Sequence, residues 1–336
     1  MERTTRCSLA VVIVSIMVVA APGFQHIAPS PAGTETPLQA QAEVVLNVVA
    51  DDGHGRLVAD LSRDDFQVFE DGKQQPISSF ERREGGPQPL LILLDVLNTY
   101  FGARGRAQEE IATALQRLEA IETVYLYVLS PDGSVQAIHA MPETAQTQKD
   151  VTPWTRDAGT MLDQALVNAA RPGSMQYANN RAEATYTALK TFASRLEKVP
   201  GRKAIVWVSQ GVPEKARATS GIDDYEPVLH RFAAAFGQVE ISIYSVAQSA
   251  QGAAPDSANL IDCVATLKDF ADLTGGRMYA SDHFGEALTQ ALADNRLSYR
   301  LGYSPPMGKA GAGYRKVRVS CKRPGVRLHT RQGYYT

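Results

Sequence analysis

The chain has 336 residues, 44% hydrophobic and 21% charged, with a formal net charge of -2. That composition suits a globular protein with a sizeable core, in one large domain or two smaller ones. The charge balance gives no electrostatic footing for nucleic acid or an anionic membrane as partner.

Residues 1–21 read as a signal peptide. Arg3 and Arg6 make a short positive start, residues 9–21 are apolar apart from Ser15, and Ala20 and Ala21 precede Pro22-Gly23. The apolar run falls short of the ~20 residues of a membrane span. Export to the periplasm or the exterior is therefore expected, ahead of anchoring by an uncleaved leader, with no other membrane association. Cys7 lies before the apolar run and cannot serve as a lipoprotein cysteine. Residues 22–42, rich in Pro, Ala, Gln and Thr, carry no core-forming pattern and read as a disordered linker.

From 43 to 86 the texture is β. Val44, Leu46 and Val48 share one strand face, and Asp51-Asp52-Gly53 turns the strand. Residues 65–70 and 73–80 read as a hairpin about Asp71-Gly72, a dipeptide suited to a tight turn. Between 88 and 295 strands and helices alternate. Candidate strands are 89–95, 122–130, 135–140, 203–209 and 239–246. Helical spacing is marked by Ile111, Leu115 and Leu118, and by Leu189, Phe192 and Leu196. Leu260, Val264, Leu267 and Ala271 mark a third helix, and Phe284, Leu288 and Leu292 a fourth. Such alternation predicts an α/β fold, a doubly wound, mostly parallel sheet with helices on both faces.

From 296 to 336 the pattern returns to β, at 298–303, 314–321 and 326–330, leading into Gly333-Tyr334-Tyr335. Neither β segment can bury a face alone, so 43–86 and 296–336 are expected to meet as one split β-sandwich-like domain. Cleavage of the leader leaves Cys263 and Cys321, which either pair in an oxidising compartment or stay as two buried thiols.

The run Pro89-Leu-Leu-Ile-Leu-Leu-Asp95 is apolar without a break, as in a central strand buried on both faces. Asp95 falls just past its carboxyl end, where open α/β sheets bind ligands. Asn98 and Thr99 follow within four positions. Their oxygens suit a hard divalent cation, and the same residues equally suit capping of the turn and next helix. The six histidines show no zinc spacing, and no phosphate-binding glycine loop follows a strand. Trp207-Val-Ser209-Gln-Gly211 resembles half of the Gly-x-Ser-x-Gly nucleophile elbow, with Trp in place of the first Gly. With no clear His and acid partners for Ser209, a serine hydrolase ranks last among the functional readings.

Several segments together resemble the von Willebrand factor A domain. These are the strand ending in Asp95, Pro200-Gly-Arg-Lys-Ala-Ile-Val-Trp-Val-Ser-Gln-Gly211, and Leu273-Thr-Gly-Gly276. The chain is similar, more closely, to the secreted Acidobacterial subgroup of such proteins. There the first strand is followed by an Asp-x-x-Asn-Thr turn, present here as Asp95-Val-Leu-Asn98-Thr99. Leu61-Ser-Arg-Asp-Asp-Phe-Gln-Val-Phe-Glu-Asp-Gly72 resembles the subgroup's leading β segment. Tyr299-Arg-Leu-Gly-Tyr303 and Arg331-Gln-Gly-Tyr-Tyr335 resemble its tail, and the likeness spans about 43–336.

The resemblance implies a von Willebrand A domain at 88–295 and a metal-ion-dependent adhesion site. Asp95 matches the first ligand and Thr99 stands for the second Ser of Asp-x-Ser-x-Ser. Leu97 replaces the first Ser, and Ser209-Gln210-Gly211 replaces the third-loop Thr-Asp-Gly, so a carboxylate is missing. Thr185 is the candidate second-loop Thr, and Asn98 could add an amide oxygen. The implied site is a degenerate one of Asp95, Asn98, Thr99, Thr185 and Ser209, for Mg2+ or another divalent cation. No catalytic residue and no other cofactor is implied. The expected function is an exported, non-enzymatic module that binds a protein or cell-surface ligand through this rim. The alternative is a structural scaffold with a vestigial metal site.

Overall fold

All six residues of the strand Leu90–Asp95 are buried, which places it in the middle of a layered structure. The computed structural model describes residues 43–86, 88–99, 101–118, 123–142, 154–169, 178–212, 215–218, 221–248, 260–305 and 313–335. The leader and linker expected at 1–42 lie outside the described residues. The first elements are β1 (Val44–Asp51), β2 (Phe66–Glu70), β3 (Lys73–Gln75), β4 (Ile77–Glu84) and β5 (Leu90–Asp95). There follow α1 (Phe101–Gln116), β6 (Val124–Leu129), β7 (Val135–His139), α2 (Ala158–Ala169), α3 (Ala178–Glu197) and β8 (Lys203–Ser209). Next come β9 (Lys215–Ala218), β10 (Gly221–Asp224), α4 (Glu226–Gln238), β11 (Ile241–Ala247), α5 (Leu260–Thr274) and β12 (Met278–Tyr279). Last are α6 (Phe284–Arg296), β13 (Leu297–Tyr303), β14 (Tyr314–Cys321), β15 (Arg327–His329) and β16 (Gly333–Tyr335).

The fold is α/β. A six-stranded sheet in the order β12-β11-β8-β5-β6-β7 is parallel throughout except at β7. Alternate residues of its strands serve opposite faces. Leu90, Ile92 and Leu94 join Val206 and Val208 against Ile111 and Leu115 of α1, Leu162 of α2 and Leu288 of α6. Leu91 and Leu93 join Ile205 and Trp207 against Leu189 and Phe192 of α3, Phe236 of α4 and Phe270 of α5. Each large side chain removed from water in these layers contributes roughly 1.5–3 kcal/mol before entropy is charged against it.

Strand β7 departs from the parallel pattern. It runs antiparallel to β6 at the sheet edge, because Pro131-Asp132-Gly133-Ser134 reverses the chain in too few residues for a crossover. Gly133 takes φ +81° and Asp132 Oδ1 accepts both the backbone N–H and the hydroxyl of Ser134. Helices α2 and α4 and the β9–β10 hairpin carry no signal in the sequence reading. The inner face of α4 is built on Leu229, Ala233, Ala234 and Phe236, so small residues dilute its helical period.

Residues 44–84 and 297–335 form two antiparallel sheets, β15-β1-β13-β4 and β16-β14-β2-β3. Their facing residues include Leu46, Val48, Phe66, Val68, Tyr299, Leu301, Tyr303 and Val317. Cys263 is buried near the start of α5, Cys321 ends β14, and no disulfide joins them.

Buried charge joins these antiparallel sheets to the parallel one. Arg277 Nη1 donates to Asp51 Oδ2 of β1 at 2.7 Å, and its Nη2 faces Asp294 Oδ2 of α6 at 3.4 Å. His329 Nε2 lies 2.8 Å from the same Asp51 oxygen, and Tyr244 donates to Asp294 at 2.5 Å. Burial, and then the Arg277 guanidinium, holds the His329 imidazole below its ordinary value. Burial alone would raise the Asp51 carboxyl, but the Gly53 N–H, Arg277 and His329 outweigh it and hold the group low. With the His329 value depressed, the unfolded chain takes up that proton first. Stability from this group is complete above about pH 6.5 and declines as pH falls below it. Asp51 contributes stability that is lost only as pH falls below about 4. Denaturant unfolding between about pH 7.5 and about pH 5.5 should show a loss that is smaller in His329→Gln than in the wild type.

Candidate functional site at the carboxyl end of the parallel sheet

From β5 the chain passes to β6 on one side, while β8 and β11 lie on the other. The sheet therefore has its switch point at the carboxyl ends of β5 and β8, where such sheets leave a crevice. Leu93 pairs with Trp207 and Leu94 with Val208, so Asp95 and Ser209 end adjacent strands. Strand parity turns Asp95, Trp207 and Ser209 toward the face covered by α3, α4 and α5. Thr185 sits on the inner face of α3, three residues after Ala182 and four before Leu189, both fully buried.

Asp95 is fully buried, and its two oxygens accept four hydrogen bonds. Oδ1 takes the Asn98 backbone N–H at 2.9 Å. Oδ2 takes Asn98 Nδ2 at 2.8 Å, the Ser209 hydroxyl at 2.9 Å and Trp207 Nε1 at 3.1 Å. Burial pushes the Asp95 carboxyl up from its ordinary value, and the donors of Asn98, Ser209 and Trp207 oppose the rise. Arg104 reaches back from α1 to donate to the carbonyls of Val96 (2.8 Å) and Thr99 (3.1 Å). Burial holds its own value below the ordinary one, and the charge of Asp95 opposes that only in part.

Asp95, Asn98, Thr185 and Ser209 thus meet in one hydrogen-bonded cluster, and Asn98 Nδ2 also donates to Thr185 Oγ1 at 2.7 Å. Thr99 is buried beside Asn98 in the turn, but its Oγ1 has no hydrogen-bond partner among the described residues, and neither has Asn98 Oδ1. Gln210, in the place of the third-loop carboxylate, is buried. Gly211 takes φ +89°, and a Cβ there would lie 1.6 Å from the Cys263 carbonyl oxygen, so only glycine fits.

Ser209 donates its proton to Asp95 and accepts the Gly211 N–H at 3.0 Å. No histidine bonds to it among the described residues, so the cluster lacks the imidazole of a Ser–His nucleophile.

The Mg2+ implied by the resemblance would need near-octahedral oxygen ligation at about 2.0–2.1 Å. Here one carboxylate is present, with Oδ2 already accepting three donors and Oδ1 one. Among the described residues no group of three or more His, Cys, Asp or Glu is placed to share a metal. The donor set does not fit a resident Mg2+.

Sequence reasoning missed two members of this rim. Trp207 is one: a buried indole N–H needs an acceptor, and its place two residues before Ser209, on the same strand face, is the signal in the sequence. Gln248 follows β11 and donates its backbone N–H to the Ser209 carbonyl at 2.8 Å. Its carboxamide is buried with no partner among the described residues.

No protein-family model and no curated protein matches the chain. Among solved structures it is similar to the manganese-loaded TRAP protein of Plasmodium vivax, at 11% identity and TM-score 0.39, over 76% of this chain and 96% of that one. It is similar to a von Willebrand factor type A protein of Catenulispora acidiphila, at 10% identity and TM-score 0.39, over 80% and 75%. With the human COPII-coat protein Sec24c the identity is 12% and the TM-score 0.36, over 75% of this chain and 44% of that one. The chain therefore spans less than half the length of that coat protein.

Trp207→Phe keeps the ring against Phe270 and removes one N–H from the buried carboxylate. A hydrogen bond to a charged group contributes roughly 1.5–3 kcal/mol. Urea unfolding at neutral pH should show a loss of that size, and Ser209→Ala a similar one.

Proposed function

We propose that this chain is an exported binding module of the von Willebrand A type. Its recognition face is the rim formed by Asp95, Asn98, Thr99, Thr185 and Ser209, and its partner is a protein or cell-surface ligand. The carrying observation is the convergence of these polar residues at the switch point of the sheet. There Asn98 Oδ1, Thr99 Oγ1 and the Gln248 carboxamide have no hydrogen-bond partners among the described residues. Buried polar groups are nearly always paired, so a concentration of unpaired ones at this end of the sheet supports a ligand that completes them.

Export is supported by the leader-like residues 1–21, and no helix among the described residues is long and apolar enough to cross a membrane. A non-enzymatic role is supported by the surroundings of Ser209, whose proton is committed to a buried carboxylate. The rival reading is a scaffold whose rim binds nothing.

Immobilised full-length protein, probed with the envelope fraction of the cell that makes it, separates the two. Thr99→Val with Gln248→Ala removes unpaired rim groups while sparing the bonds to Asp95. Capture should weaken on the order of tenfold, about 1.4 kcal/mol, with the melting temperature little changed. Equal capture by the variant and the wild type would sink the rim assignment.

A further inference from the structure

One nitrogen holds the rim together. Asn98 Nδ2 lies 2.8 Å from Asp95 Oδ2 and 2.7 Å from Thr185 Oγ1, so it bridges the end of β5 to α3. Chemistry fixes the identity of this atom. The Thr185 hydroxyl gives its own proton to the Arg181 carbonyl at 2.8 Å, which leaves lone pairs toward Asn98. Both Asp95 oxygens act as acceptors in these contacts. An amide oxygen in this place would face two acceptors, whereas the amide NH2 supplies the two donors they need.

We propose that the Asn98 amino group stands in for a divalent cation, and that this rim is held together and works without metal. A cation joining Asp95 to Thr185 would have to occupy the gap that Asn98 Nδ2 spans. It would have to expel that group and break both of its hydrogen bonds. It would also place two positive charges near Arg104, with one carboxylate to neutralise them. Hydrogen-bond donors from Asn98, Trp207 and Ser209, with the Arg104 guanidinium behind the turn, already provide the positive field that a buried carboxylate requires.

The metal-free clasp stands on this geometry alone. Its consequence for recognition rests on the rim being the binding face. Binding there is indifferent to chelators, and a partner meets amide and hydroxyl groups instead of placing a carboxylate on a metal ion.

Thermal unfolding of the full chain in EDTA, and in millimolar Mg2+, Mn2+ or Ca2+, tests the clasp. A ligand that binds the native state raises apparent stability by mass action. The wild-type melting temperature should be the same in EDTA and in each cation, and a rise with any cation that Asp95→Asn does not share would overturn the proposal. Asn98→Asp replaces the bridging donor with a second carboxylate. It should melt below the wild type in EDTA and recover in Mn2+, while a variant indifferent to all three cations would show that Asn98 does not hold the cation position. If Asn98→Asp does not fold, Asn98→Ser opens the same gap and carries the same comparison. Failure of the binding reading is separate: it appears as unchanged partner capture by rim variants, whatever the melting series shows.

Discussion

A carboxylate that leaves water at the end of a buried strand must be met by donors, or ionising it costs several kcal/mol. Asp95 is such a group, and its needs organise the parts around it. Two donors come from Asn98 in the turn that leaves β5, and two from Trp207 and Ser209 in the neighbouring strand. Through Asn98 the demand extends to Thr185 on α3. The register between β5 and β8 is tied to this arrangement as well as to the apolar layers. A slip of one residue would turn Trp207 and Ser209 to the opposite face and strand the charge.

The polar contacts between the antiparallel sheets and the parallel one work in the same way. Asp51 and Asp294 are nearly or wholly removed from water, and the partly buried Arg277 pairs with both across β1, the approach to β12, and α6. Buried pairs of this kind add little net stability compared with apolar residues of similar volume, yet breaking one partner is costly. The apolar layers on either side of the sheet supply the driving force. The charged groups restrict how the layers can be assembled.

Much of the architecture was legible in the sequence, because continuous apolar runs and clear helical spacing are direct consequences of burial. The strands β5, β6, β8 and β11 and the helices α1, α3, α5 and α6 all announce themselves that way. Helices α2 and α4 do not, since alanines share the inner packing of both with a few larger residues, and the period is faint. The direction of β7 is set by a four-residue turn, a local feature that the strand pattern does not encode. At the rim, spacing linked Asp95, Asn98 and Thr99, and the resemblance to the von Willebrand A domain implied Thr185 and Ser209 as their neighbours. It could not say which atom of the Asn98 amide faces the carboxylate. That depends on the Thr185 hydroxyl bonding back to the Arg181 carbonyl one turn earlier, which follows only once residues 181–185 are known to lie in α3.

The pairing of the chain's ends has a consequence for how the molecule is made. In its sheet β1 lies between β15 and β13, with Val44 opposite Tyr303 and Val49 opposite His329. Strand β4 likewise pairs only with β13 in that sheet. At roughly 5–20 residues per second, β1 leaves the ribosome on the order of ten seconds or more before its neighbours exist. The parallel sheet and its helices can assemble in that interval, while the leading strands wait with open edges of the kind that invite pairing with another chain. The open edges of the strands between 44 and 84 are thus closed only once residues 297–335 have been made.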